Sequence, residues 1–343
     1  MRSFALAGSA VLAAPAIIHA RTLDEMVTYD QATMDSTGAF LNGELQRIDP
    51  TLNEPLVSIT WDRDIDLRED VQMGDTESAF FLTTFGSNGG TKPAGKNWLS
   101  SGGNAPAGVS LDMGKKIFPL TEWATELKWT VYELASAEKT GRPIDVQKFN
   151  GMNRKWQMDT DEQVYIGDEQ LGQPGMLNSP LVATGSVPNG VGGSPLFTQK
   201  TADEIVADFN IGQTSAWAAS GYARCPTKAI VPPDTLSYLT SRKVSDAGNI
   251  SLLKFIVENS ICNTVNGKPL EVVSAKFASI AGTANGKRMM FYSQDKGLIR
   301  FPRVQLQRTP VEYRSLYQLT TYYGKLGEVE LVYPETVSYL EGF

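Results

Sequence analysis

Between residues 56 and 72 the chain reads LVSITWDRDIDLREDVQ, alternating apolar and polar side chains. Val57, Ile59 and Trp61, then Ile65 and Leu67, recur at a period of two, the pattern of a strand with one buried face. On that reading Asp62, Asp64, Asp66 and Arg68 line the opposite face, with Glu69 beside them. Residues 86–110, GSNGGTKPAGKNWLSSGGNAPAGVS, have few apolar positions and cannot bury a core of their own. Their flanks, FFLTTF (80–85) and KKIFPLTEWATELKWTV (115–131), are β-prone, so the region predicts an extended two-stranded arm with a glycine-rich tip. A short helix then runs to Lys139, and Pro143 opens a longer one. Val146, Phe149, Met152 and Trp156 give the longer helix one apolar face.

Upstream, Asp35 or Ser36 is placed to cap a short helix through Leu45, with Leu41, Leu45 and Ile48 on one stripe. Downstream, residues 171–297 mix helices (203–210, 250–260) with strands (271–277, 288–294) and a strand–turn–helix at 228–240. Residues 298–343 are rich in β-formers. No internal repeat occurs, which excludes solenoids and propellers. The fold class is α+β.

Composition narrows function by exclusion. The chain has 343 residues, 41% hydrophobic and 20% charged, with net charge −7. That is ordinary globular composition, without the basic surplus of a generic nucleic-acid binder. The one histidine, His19, sits in an apolar leader. A Ser-His-Asp or Cys-His site, or a His-rich metal centre, needs an imidazole in the folded body. Carboxylate-only and lysine chemistry survive this test. Cys225 and Cys262 show no metal-ligand spacing and read either as free thiols or as a disulfide. Gly95-Lys96 is followed by Asn97, so the glycine-rich stretch is not a phosphate-binding loop. The aspartates at 62–70 have the look of a metal or acid–base cluster. Their plainer reading is a solvated or inter-subunit salt-bridging face. No cofactor or metal is expected, and no catalytic residue.

Residues 1–21, MRSFALAGSAVLAAPAIIHAR, follow the pattern of a secretory leader. They are similar to the leaders of some exported solute-binding proteins, although a twin arginine is missing. The alternative is an N-terminal arm that packs on a neighbouring subunit. The segment is too short and too alanine-rich for a transmembrane helix.

Several passages in order resemble the Hong Kong 97-type capsid fold shared by tailed-phage shells and encapsulins. YELASAEKTGRPIDVQKFNGMNRKWQMDTDEQ (132–163) resembles that fold's short helix, break and long spine helix. DEQVYIGDEQLGQPGMLNSP (161–180) resembles the end of the spine and its exit into an axial lobe. The glycine-rich stretch at 86–110 sits where the family has its extended loop. GKLGEVELVYPETVSYLEGF (324–343) resembles its closing strand. VTYDQATMDSTGAFLNGELQRIDPTLNEPLVSITWDRDIDLRED is similar to the opening of one phage major capsid family.

The resemblance implies an N-terminal arm (1–56), an extended loop with flanking strands (57–120), a peripheral domain (121–174 and 298–343) and an axial domain (175–297). It implies a structural subunit that self-assembles as hexamers and pentamers into an icosahedral shell. Its implied partners are its own copies, a portal, decoration proteins, and packaged double-stranded DNA held without sequence-specific binding; no membrane is implied. Asp62, Asp64, Asp66, Arg68, Glu69, Lys92, Lys96 and Trp98 become candidates for inter-subunit contact. Some members crosslink a loop lysine to a neighbour, which makes Lys92 and Lys96 the positions to watch. The competing readings are an exported solute-binding protein or secreted enzyme, prompted by residues 1–21, and an encapsulin-like compartment.

Overall fold

The structure, a computed structural model, describes residues 56–87, 97, 108–140, 144–244 and 249–343. The leader, the helix expected after Asp35, and Lys92, Lys96 and Trp98 lie outside the described residues.

The described chain begins with one helical turn, α1 (Trp61–Asp64), and a short strand, β1 (Asp66–Arg68). The strand expected across 57–72 is therefore interrupted, and its four charged residues do not share a face. The cause is non-local. The Asp161 carboxylate, 100 residues from Trp61, accepts the Thr60 and Trp61 amides at 2.9 and 3.0 Å. It thus satisfies amides at the start of the turn that would otherwise be orphaned.

Strands β2 (Glu77–Ser87) and β3 (Val109–Thr130) pair antiparallel, from Glu77↔Pro119 to Ser87↔Val109. Helix α2 (Val131–Thr140) and the long helix α3 (Ile144–Tyr165) follow. The apolar face expected on α3 is buried only from Met152 and Trp156 onward; Val146 and Phe149 are exposed. A small ladder of β4 (Gly167–Asp168) and β5 (Gln173–Pro174) closes this helix.

The next stretch holds β6 (Ala183–Ser186), α4 (Ala202–Ala219), β7 (Lys228–Val231), α5 (Pro233–Ser241), α6 (Leu252–Glu258), α7 (Ile261–Asn266), β8 (Glu271–Ser274) and β9 (Arg288–Tyr292). A capping box between Thr201 and Glu204 starts α4. The chain ends with β10 (Ile299–Arg308), β11 (Glu312–Arg314), β12 (Tyr317–Gly327), β13 (Glu330–Leu331) and β14 (Ser338–Glu341).

These strands form two main sheets. One runs β1-β10-β12-β3-β2, with β11 on β12 and β13 on β10. The other runs β6-β14-β9-β7-β8. Closing strand β14 lies between β6 and β9, so it belongs with residues 175–297 and not with the rest of 298–343 as the expected domain division had it.

The five-stranded sheet is covered on both faces, and strands β7 and β9 therefore carry consecutive apolar residues, 229–231 and 289–292. Ile230, Met290, Tyr292 and Tyr339 pack into one core with Trp156, Tyr165 and Phe301. Ala229, Val231, Met289, Phe291 and Leu340 pack into a second core with Ile205 and Phe209 of α4. Gly212 lets α4 approach this closely: a Cβ there would meet the Phe291 ring at 2.3 Å. Cys225 and Cys262 are free thiols buried in the second core, and burial pushes the Cys225 thiol up to about 11.

Candidate assembly interface

Strand β3 divides its pairing. Its second half, Leu120–Thr130, is laddered to β12; its first half, Val109–Pro119, pairs with β2. The eleven β2–β3 pairs make a hairpin about 37 Å long. Residues directly opposite in an antiparallel pair share a face. One face therefore carries Phe81 and Phe85 from β2, and Val109, Leu111, Met113 and Ile117 from β3. All six are exposed, Phe81 at 67% and Phe85 at 72%. The opposite face is apolar at its base, where Phe80 stacks on Phe118 at 5.5 Å, and carries Leu82 beyond it. Lys116 stands opposite Phe80, and farther out the face presents Thr84 and Asp112.

A buried charge cluster fixes the root of this arm. Glu330 is fully buried. Its carboxylate accepts from Arg68 Nη1 at 3.0 Å, from Arg300 Nε at 2.6 Å, and from the Ser78 hydroxyl of β2. Arg68 also donates to the Ala79 carbonyl at 3.1 Å and pairs with Asp70 at 2.7 Å. Those partners favour the charged guanidinium, Asp70 most of all, and Arg68 in turn holds the Asp70 carboxyl below its usual range. The hairpin is thus anchored rigidly at its root, while its apolar face is left exposed among the described residues.

A second exposed apolar patch lies at the other end of β3. It gathers Val131 and Tyr132 of α2, Phe149 of α3, and Tyr313, Leu316 and Tyr317 of the β11–β12 hairpin. These elements touch: the Val131 amide donates to the Leu316 carbonyl at 3.0 Å, and the Phe149 and Tyr322 rings lie 5.6 Å apart.

The contact candidates read from sequence part company here. Asp62 and Glu69 are exposed. Asp66 is half-buried and accepts from Gln294 at 3.3 Å. Asp64 is fully buried and pairs with Arg63 and Lys228 inside its own subunit, so it is no surface contact. Arg68 is committed to the arm root. The apolar arm face went unread in the sequence, although Val109, Leu111 and Met113 alternate with Ser110, Asp112 and Gly114. Among the described residues no group of three or more His, Cys, Asp or Glu could hold a metal ion, and no helix is long and apolar enough to cross a membrane.

A long helix, an extended hairpin arm and a second lobe built on a mixed five-stranded sheet together define a capsid-type fold. The capsid of the Myoviridae phage XM1 superposes with a TM-score of 0.70 at 14% identity, covering 90% of this chain and 100% of that one. The capsid of a native GTA particle gives 0.58 at 14% identity, covering 92% and 99%. A chain of Gordonia phage Cozz gives 0.54 at 11% identity, covering 92% and 97%. No curated protein sequence matches. The major capsid protein family matches residues 95–343, and the chain belongs to that family. It is a structural subunit whose place is the capsid shell. That membership decides against the exported binding protein, the secreted enzyme and the cargo compartment.

Proposed function

We propose that the chain builds the icosahedral shell of a tailed phage as hexamers and pentamers around double-stranded DNA. The arm carries this reading. Two paired strands alone are at best marginally stable in water. A face of six exposed apolar side chains is a liability in a monomer and an interface in an assembly. Covering them contributes about 1.5–3 kcal/mol per side chain before association costs. The arm face and the patch around Tyr132 and Tyr313 are different surfaces. Joining the arm of one copy to that patch on the next is a head-to-tail contact, and such contacts close into rings when the rotation between copies closes. Exposed Asp62 and Glu69 would add polar contacts at the rims of the interface, and Lys92, Lys96 and Trp98, which lie between β2 and β3 in sequence, stay candidates for contact.

A net charge of −7 suits a wall that must not adhere to packaged DNA. A portal at one vertex and decoration proteins outside complete the particle in this reading. Sedimentation and negative-stain microscopy of the purified full chain test it. Closed shells containing five- and six-fold capsomers are expected, and a protein that stays monomeric at high concentration would refute the reading.

A further inference from the structure

The segment Ser58–Asp64 ties together three parts of the subunit. Toward α3, the Asp161 carboxylate accepts the Thr60 and Trp61 amides, the Thr60 and Tyr165 hydroxyls lie 2.9 Å apart, and Trp61 Nε1 donates to Gln157 at 3.0 Å. Toward the five-stranded sheet, Lys228 Nζ reaches the Arg63 carbonyl at 2.7 Å and the Asp64 carboxylate at 3.2 Å. The Tyr292 hydroxyl donates to the Asp64 carbonyl at 2.7 Å, and Arg63 donates to the Ser274 carbonyl at 2.8 Å. Lys276 completes the circuit, bonding the Ser58 carbonyl at 2.9 Å and Asp161 at 3.0 Å. Toward the seven-stranded sheet, the Arg303 guanidinium lies 4.8 Å from the Trp61 ring and 5.0 Å from the Trp156 ring.

Asp64 and Asp161 are fully buried, and Lys228 nearly so. If the segment left, these charges would lose partners in a place where unpaired charge is costly. The contacts therefore hold or fail together.

We infer that Ser58–Asp64 is a strap that fixes the angle between the α3 lobe and the five-stranded-sheet lobe, and so the curvature at which copies join. The inference rests on the capsid reading. A closed shell of one size, with five- and six-fold capsomers, needs its copies to present their contact surfaces within a narrow, reproducible range of angles. The two lobes also share an apolar core, but apolar packing is non-directional. The strap adds directional bonds whose geometry is met at one relative orientation.

The test uses the full chain, with cryo-microscopy of particles and hydrogen exchange of the subunit. Wild-type protein that forms no shells overturns the capsid reading itself, and this inference falls with it. Given wild-type shells of one diameter, Asp161→Ala is expected to speed exchange of the Thr60 and Trp61 amides by about tenfold or more. Residues 228–231 should keep their protection, and the particles should become mixed in diameter or fail to close. The same faster exchange with shells of the single wild-type diameter overturns the strap. If Asp161→Ala also strips protection from 228–231, the lobe itself has unfolded and Lys276→Gln decides. Lys276 is 42% exposed, and its loss removes two strap contacts without leaving a cavity in the core. Loosened exchange at 58–61 with broadened diameters supports the strap, and an unchanged diameter refutes it.

Discussion

Strand β7 and strand β2 show opposite fates for apolar β-structure in one subunit. In β7 every residue is buried, even Lys228, because α3 and its core lie on one side and α4 on the other. In β2, Phe80 is buried, while its neighbour Phe81 and then Phe85 are left exposed among the described residues. Sequence composition does not separate the two strands; the number of covered faces does. The five-stranded sheet completes its burial within one copy. The arm leaves an apolar face exposed among the described residues, and in the proposed assembly another copy covers it. In that proposed assembly the same hydrophobic effect stabilises the subunit in one place and the shell in the other.

Substitutions can separate these two uses. Phe291→Ala in β9 empties a site packed on both Phe209 and Gly212. It should destabilise the isolated subunit by about 3–5 kcal/mol in denaturant titration and deplete shells only through lost folded protein. Glu330→Gln leaves Arg68 and Arg300 without their shared counter-charge. A loss of about 3 kcal/mol is expected in the same titration, with exchange at the arm root (residues 77–80) rising more than at 288–292. The double change Phe81→Ser and Phe85→Ser should move subunit stability by less than about 0.5 kcal/mol, since both rings are already in water. Shells should nevertheless be lost in sedimentation, and intact assembly from that variant would break the comparison.

The smallest effect is a dependence on pH. Pairing with Arg68 holds the Asp70 carboxyl below its ordinary value. A depressed carboxylate contributes stability above its unfolded pKa of about 3.9 and loses it as pH falls through the lower folded value. The melting-temperature difference between wild type and Asp70→Asn should be constant near neutrality and vanish toward acid. A difference that persists at low pH would mean that Asp70 acts without its charge.

Local pattern predicted what local physics decides. The arm followed from two β-prone flanks around a polar stretch, and α3 from Pro143 and a spacing of three and four. The turn at 61–64 was not legible, because its cap, Asp161, and its ion partner, Lys228, come from distant parts of the chain. Arg68 read as a surface charge for the same reason: only folding brings Glu330 to it. Val109, Leu111 and Met113 alternate with Ser110, Asp112 and Gly114, an unread signal, and nothing local says whether that face meets its own chain or another. The burial of α3 carries the same lesson, since Val146 and Trp156 share a stripe and only the second finds a core.

The shared strand β3 also has a mechanical consequence. In the proposed shell a packed genome would push outward, and a hairpin gripped by a neighbour would then be pulled along its own axis. That pull passes down one continuous backbone from Val109 to Thr130. It reaches the β12 ladder parallel to the strands, so the hydrogen bonds from Leu120↔Gly327 to Thr130↔Tyr317 are loaded in shear. In shear many bonds must fail at once, whereas a perpendicular pull would unzip them singly. An arm built as the first half of a central strand is therefore a tether, and its strength is that of the whole ladder behind it.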